Sequence, residues 1–232
     1  MTKVALRAGS TEEFREVRSP YGGEVIAEVE QADAALVDRV LARQTALFAD
    51  RAQRLPHHER AAILRRAARL AESRLEDLAL QVAREGGKPL TDARAEVARG
   101  VNGLELAAEE GIRIAGHEVP MRGTAAAAGR LAFTTREPRG LVAAVSAFNH
   151  PFNLVVHQVA PAVAAGCPVA IKPASATPLS CHALVDLLVE AGLPEDWAVV
   201  LPMPGRVAES LVTDPRIAFF SFIGSGEVGW GL

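Results

Sequence analysis

Leu141-Val142-Ala143-Ala144-Val145-Ser146-Ala147 is a run of seven uncharged residues that leads directly into Phe148-Asn149-His150-Pro151. An uninterrupted run of this kind predicts a strand covered on both faces. A helix is expected from about Phe152 to Ala165, ended by Gly166, with Pro161 inside it predicting a break or kink. Val169–Lys172 then reads as a second strand, and Leu179–Ala191 as a second helix with Gly192 at its C-terminal end. Ala198–Leu201 is a third strand, residues 206–212 a short helix, and Ile217–Ile223 a fourth strand. Strands alternating with helices imply βαβ units, so the expected fold class is α/β, with a doubly wound, mostly parallel sheet.

Working outward from that core, residues 24–29 read as a strand after the turn Pro20-Tyr21-Gly22-Gly23. Asp33 is placed to cap a helix running to about residue 50. One helix is expected after Pro56, because Leu64, Ala68, Ala71, Leu75, Leu78 and Val82 recur at steps of three and four. Gly86-Gly87-Lys88-Pro89 stops it. A further helix begins near Thr91, with Ala93, Val97, Val101, Leu104, Ala108 and Ile112 on one side. Each stripe is too narrow for a fully buried helix, so these helices must lean on a sheet. Between residues 122 and 139 a run of small residues, Gly123–Gly129, precedes the strand-like alternation Arg130–Arg136, and Pro138-Arg139-Gly140 closes a hairpin or arm. The expected organisation is residues 1–121 as a strand-plus-helices part, 122–139 as the arm and 140–232 as the βαβ core.

Composition narrows the functional classes. Of 232 residues, 49% are hydrophobic and 23% charged, ordinary for a globular chain. Lys and Arg number 25 against 28 Asp and Glu, a net charge of −3 that lacks the basic excess of a nucleic-acid binder. No apolar run approaches the roughly 18–20 residues needed to cross a bilayer. Met1-Thr2-Lys3-Val4 opens no apolar leader, so the expected location is the cytoplasm. Two cysteines, Cys167 and Cys181, are too few for a disulfide scaffold or a four-cysteine zinc site, and the six histidines show no metal-ligand spacing.

In open parallel sheets ligands bind beyond the carboxyl ends of the strands. Those ends carry Phe148-Asn149-His150-Pro151-Phe152, Lys172-Pro173-Ala174-Ser175 and Gly224-Ser225-Gly226-Glu227-Val228-Gly229. The last matches the G-x-G-x-x-G pattern of dinucleotide-binding turns, but the acidic residue that completes that fingerprint would fall beyond Leu232. The same glycines serve equally well as a turn that lets a helix pack closely on the sheet.

Taken together in this order and spacing, the three strand ends resemble the NAD(P)-dependent aldehyde dehydrogenase superfamily. The likeness extends from about Pro20 to the end of the chain. It includes Ala160-Pro161-Ala162 with Ala165-Gly166, Ala191-Gly192-Leu193-Pro194, and Glu85-Gly86-Gly87-Lys88-Pro89. The resemblance implies a Rossmann-like cofactor domain that binds NAD or NADP. It makes Asn149 the catalytic amide that helps hold the oxyanion formed from the aldehyde, a task suited to a donor aimed where charge develops. An asparagine bonding the backbone of its own turn is the alternative reading. Lys172 matches the lysine that contacts the adenosine ribose, against the alternative of an exposed strand-end lysine. Gly224 and Ser225 match the pair near the cofactor phosphates. Ala147, Phe148, Ala174, Ser175, Gly205, Phe222 and Val228 are the other implied cofactor-binding positions. No metal is implied.

Departures from the family pattern carry information. Ser175 stands where NAD-preferring members often have glutamate, and losing that carboxylate removes repulsion of a 2′-phosphate, so NADP is expected to be tolerated or preferred. Ile223 and Gly226 replace usual threonines, and Trp230 replaces a residue that is often basic. In the family a cysteine attacks the aldehyde and a glutamate activates water, giving a carboxylic acid by way of a thiohemiacetal. Both residues lie downstream of the Gly-Ser motif in a catalytic domain that is absent from this chain. Cys167 and Cys181 read as small buried hydrophobes instead. Two expectations follow. Either the chain is the N-terminal part of an aldehyde dehydrogenase, inactive alone, or it is a naturally truncated nucleotide-binding or oligomerising module. An ending inside a predicted helix favours the first. The resemblance also makes the arm a subunit contact in a homodimer or homotetramer. The aldehyde itself is not specified, since only the neighbourhood of Phe148, Phe152 and Val156 is present from the substrate tunnel.

Overall fold

The computed structural model describes residues 2–232. A small N-terminal sheet comes first, from β1 (Thr2–Val4), β2 (Phe14–Arg18) and β3 (Val25–Glu30). Its order is β1-β3-β2, with β1 parallel and β2 antiparallel to β3. Four helices follow: α1 (Ala34–Ala49), α2 (His57–Ser73), α3 (Leu75–Gly86) and α4 (Leu90–Arg113). Asp33 caps α1 by accepting from the Leu36 N–H at 2.7 Å. A short antiparallel ladder joins β4 (Glu118–Val119) to β5 (Ala132–Phe133). The remainder alternates: β6 (Leu141–Val145), α5 (Asn153–Ala165), β7 (Val169–Lys172), α6 (Leu179–Glu190), β8 (Ala198–Val200), α7 (Gly205–Val212), β9 (Ile217–Phe222) and α8 (Gly226–Gly231).

The four late strands form one wholly parallel sheet of order β8-β7-β6-β9. Period-2 alternation sends Val142, Ala144, Val169, Ile171, Ala198 and Val200 into a core shared with α2 through α6. Leu141, Ala143, Ala170, Val199 and Leu201 face the opposite side, against α1 and α7. Both faces are thus covered, which is why β6 and β7 read as unbroken apolar runs. The helices α2, α3 and α4 do not lean on the sheet, as their narrow stripes led us to expect; they pack on α5 and α6, which in turn cover the sheet, because the crossover helices already occupy that face.

Several expectations need correction. The single helix after Pro56 is two, α2 and α3, divided at Arg74, whose φ is −112° and ψ 20°. The apolar stripe reads through the division because the Arg74 N–H still reaches the Leu70 and Ala71 carbonyls, each at 3.2 Å, so the helical spacing survives the turn. Pro161 does not break α5, which continues through it. Its ring lies on the exposed side while Val159, Ala160, Ala162 and Val163 are buried, and that burial offsets the lost hydrogen bond. Ile112, expected on the buried side of α4, is 51% exposed, and the deep stripe runs instead through Val97, Leu104, Ala108 and Gly111. Strands β1 and β2 were not anticipated, since Phe14–Arg18 buries only Val17 and so lacks an alternating pattern.

Glu30, at the end of β3, is fully buried and organises the first loop. Burial opposes its ionisation, but the Ser10 hydroxyl and the backbone N–H groups of Leu6, Thr11 and Glu12 (3.0, 2.7 and 3.0 Å) outweigh it and hold the carboxyl at about 2. The ordinary value is 4.5, so the unfolded chain takes up this proton first as pH falls. Stability contributed by Glu30 is therefore present above about pH 4.5 and lost between about 4.5 and 2. Thermal melts from pH 7 down through that range should show a Glu30→Gln variant less stable than the parent at pH 7 and without this part of the acid-induced decline.

Candidate functional site

The carboxyl ends of all four parallel strands lie along one edge. Val145 is in register with both Lys172 and Phe222, and Ile171 with Val200. Backbone hydrogen bonds carry the pairing past the strand ends: Ser146 N–H to the Lys172 carbonyl (3.1 Å), Ile223 N–H to Val145 (2.9 Å) and Leu201 N–H to Ile171 (2.7 Å). Chain order reverses between β6 and β9, making that junction the topological switch point. Gln158, buried on α5, secures it by donating its side-chain amide to the Val145 and Ser221 carbonyls at 3.1 and 2.9 Å.

The anticipated residues occupy this edge. Ala147, Phe148 and Asn149 follow β6, and Lys172 ends β7, with Ala174 and Ser175 in the loop after it. Gly205 opens α7 after β8, while Phe222 ends β9 and leads through Gly224 and Ser225 to Val228 on α8. The Asn149 side chain is exposed and makes no hydrogen bond among the described residues, unlike an asparagine that closes its own turn. Lys172 is half-buried and donates to the Pro173 carbonyl at 3.2 Å. Burial, and then the charge of Arg15, lowers its ammonium pKa.

Gly224 has a local reason to be glycine. A Cβ there would lie 2.5 Å from the Phe222 ring, and one at Gly229 would lie 2.6 Å from it. Phe222 thus folds over the glycine-rich turn and fills the room that both positions leave. Ser225 caps α8, its hydroxyl accepting from the Val228 N–H at 3.4 Å. Cys167 and Cys181 are both buried, and burial pushes the Cys181 thiol pKa far up, the reverse of an activated nucleophile. Among the described residues no group of three His, Cys, Asp or Glu could hold a metal. No described helix is long and apolar enough to cross a membrane.

Two buried carboxylates were given no role by the sequence reading, Glu85 appearing there only within a family motif. Glu96 of α4 accepts from the Phe152 and Asn153 N–H groups at 2.9 and 3.2 Å, fixing the start of α5. Its other oxygen meets the Lys88 ammonium and His150 Nδ1, and Lys88 also donates to the Asn149 carbonyl. Glu85 of α3 accepts from the Leu179 and Ser180 N–H groups, both at 2.8 Å, and from the Ser180 hydroxyl, fixing the start of α6. Carboxyl groups at helix N-termini satisfy orphan donors, and their negative charge is favoured by the positive end of the macrodipole. Each carboxylate continues an apolar stripe, Glu96 three residues after Ala93 and Glu85 three after Val82. A lone charge at such a position was the available signal.

The sequence signature described as "Aldehyde dehydrogenase family" matches residues 6–231. The chain belongs to the aldehyde dehydrogenase family. A putative aldehyde-dehydrogenase-like protein, y4uC, of Sinorhizobium fredii is 39% identical over 213 residues, covering 92% of this chain and 41% of the relative. Aldehyde dehydrogenase 21 from Physcomitrella patens, solved in complex with the reaction product succinate, superimposes with a TM-score of 0.92 at 33% identity, covering 99% of this chain and 49% of that one. A structure described as an E. coli NADP dependent enzyme gives a TM-score of 0.89 at 31% identity, covering 100% of this chain and 46% of that one. This aldehyde dehydrogenase chain spans less than half the length of each of these relatives.

The buried carboxylates make separable predictions. Burial raises Glu85 from 4.5 to about 7 against its hydrogen bonds, so the folded state keeps a proton that the unfolded chain releases. Its contribution to stability is full below about pH 4.5 and is lost as pH rises through about 7. A Glu85→Gln variant should flatten the decline over that window in urea unfolding at stepped pH. At Glu96, removing the buried partner of Lys88 should cost about 3–5 kcal/mol, read as a lowered urea midpoint of Glu96→Ala.

Proposed function

We propose that this chain provides the nucleotide-binding half of an aldehyde dehydrogenase that oxidises an aldehyde to a carboxylic acid with NAD or NADP. The observation that supports this reading most directly is the convergence of Asn149, Lys172 and the Gly224-Ser225 turn on one sheet edge at the switch point. The donor set there suits an anionic dinucleotide. Lys172 supplies a cation with no carboxylate on it among the described residues. The Ser146 hydroxyl is buried at the tip of β6 without a partner among the described residues. A Cβ at Gly205 would point into open space. Phe148, 65% exposed, offers an aromatic surface beside them.

In this reading Lys172 and Ser175 hold the adenosine ribose, and Gly205, Phe222, Gly224, Ser225 and Val228 line the adenine and phosphate path. A bound NAD or NADP would supply the hydride acceptor. Asn149 donates its side-chain amide to the aldehyde oxygen as negative charge develops there during thiohemiacetal formation. Lys88 and Glu96 act one step back, holding the Asn149 backbone and the start of α5 so that the amide meets a fixed point. The attacking cysteine and the water-activating glutamate belong to sequence outside these 232 residues. Neither buried thiol of this chain takes the cysteine's place. The β4–β5 arm, with Leu131 and Phe133 77% and 68% exposed, is assigned to contact with a second subunit.

Titration calorimetry of the 232-residue chain tests this. NAD and NADP should both bind, and Lys172→Ala should weaken each by about tenfold, the worth of one charge-assisted hydrogen bond. Mixing chain, nucleotide and succinic semialdehyde should produce no reduced cofactor. Absence of binding by either nucleotide overturns the assignment, and turnover that vanishes in Cys167→Ser or Cys181→Ser overturns the structural reading of those thiols.

A further inference from the structure

Arg15 enters the site from an unexpected quarter, the N-terminal sheet. In β2 it is in register with Val29 of β3, and Val17, two residues on, with Ala27. Paired residues and second neighbours share a sheet face. That face, anchored by the buried Val17 and Val29, lies against the loops that follow β7 and β8: Arg15 and Ser175 line one small cavity together with Pro173, Pro202 and Met203. Arg15 and Ser175 also line a wider open cleft of about 390 Å³, with Phe148 and Thr177 on its walls. The guanidinium is near enough to Lys172 for the two charges to disfavour one another.

Nothing acidic in the cleft relieves that repulsion. Glu16 is engaged by Arg18, and Glu85 is committed to the start of α6. Arg15 is exposed, and no hydrogen bond or ion pair of its guanidinium occurs among the described residues. An unpaired guanidinium and a serine on the walls of one open cleft, with the Lys172 ammonium three residues before that serine, form an arrangement that an anion completes. The position is specific, because Ser175 stands three residues beyond Lys172, the residue read above as the ribose contact. A neutral 2′-hydroxyl would leave the second cation unpaired, whereas a 2′-phosphate dianion offers oxygens to both, and arginine's planar fork matches them.

We propose that Arg15 is a specificity-determining residue, closing with Lys172 and Ser175 a site for the 2′-phosphate of NADP. The inference rests on the nucleotide-binding reading above and adds to it a residue from outside the βαβ core. Calorimetry at a series of matched ionic strengths on the 232-residue chain, with NADP, NAD and adenosine 2′-monophosphate as probes, tests it. The parent should bind NADP more tightly than NAD, and only NADP binding should weaken steeply with added salt. Arg15→Ala should weaken NADP and adenosine 2′-monophosphate by about tenfold or more while changing NAD less than twofold. Arg15→Lys, which keeps the charge but not the fork, should fall between. Melting curves establish that each variant is folded. Equal losses for NAD and NADP in Arg15→Ala, or no loss for either, overturn the role of Arg15 while leaving the nucleotide site standing. If the parent binds neither nucleotide, the underlying reading fails and this inference fails with it.

Discussion

The arrangement at the sheet edge depends on two buried carboxylates that belong to neither the sheet nor its crossover helices. Glu85 and Glu96 each receive the first N–H groups of a crossover helix, α6 and α5 respectively. A helix beginning at a strand tip has unpaired donors, and if they stay unpaired in a buried setting the loop before them has no fixed course. Supplying the anion from a separate layer ties two things at once: the loops after β6 and β7, and the docking of α3 and α4 on the βαβ core. The residues read as catalytic and cofactor-binding sit in those loops. Positioning of the site and stability of the interlayer contact are one set of hydrogen bonds.

That coupling gives a structural role to the long stretch, more than half of the chain, that precedes the parallel sheet. The helices α2, α3 and α4 pack over α5 and α6, the crossover helices on one face of the sheet, and the ion-paired Lys88 reaches from the α3–α4 turn to the Asn149 backbone. On the opposite face α1 and α7 close a smaller core. The N-terminal sheet then extends the structure beyond the strand tips, with the Ala32 N–H bonded to the Pro202 carbonyl at 2.6 Å. Arg15 is delivered to the β7 loop by this packing, although the two segments lie far apart along the chain.

The legible parts were those where local physics and global structure agree. Leu141–Val145 and Val169–Lys172 are apolar on both faces because both faces are covered, and each was readable as a strand. Gly166 and Gly192 take positive φ values where helices end, and both were readable as stops. The reading failed where tertiary packing changed what a local pattern meant. Arg74 leaves helical geometry inside a continuous stripe, Pro161 stays within a helix whose other faces are buried, and β2 pairs with β3 while presenting mostly charged residues to solvent. Glu85 and Glu96 were passed over because a stripe search counts apolar residues, and a carboxylate on the stripe registers as an interruption.

From residue order alone came the α/β class, the βαβ alternation, the strand-end motifs and their family resemblance, since each depends on neighbours within a few positions or on spacing along the chain. Only the folded structure decided which distant groups meet: Glu85 with Ser180, Glu96 with Phe152, Lys88 with Asn149 and Arg15 with the Ser175 loop. These contacts join segments tens of residues or more apart; those of Glu85, Glu96 and Lys88 form because burying the helical layer against the βαβ core leaves each of these charges one place where its hydrogen bonds can be satisfied, while packing of the N-terminal sheet alone carries Arg15 to its loop.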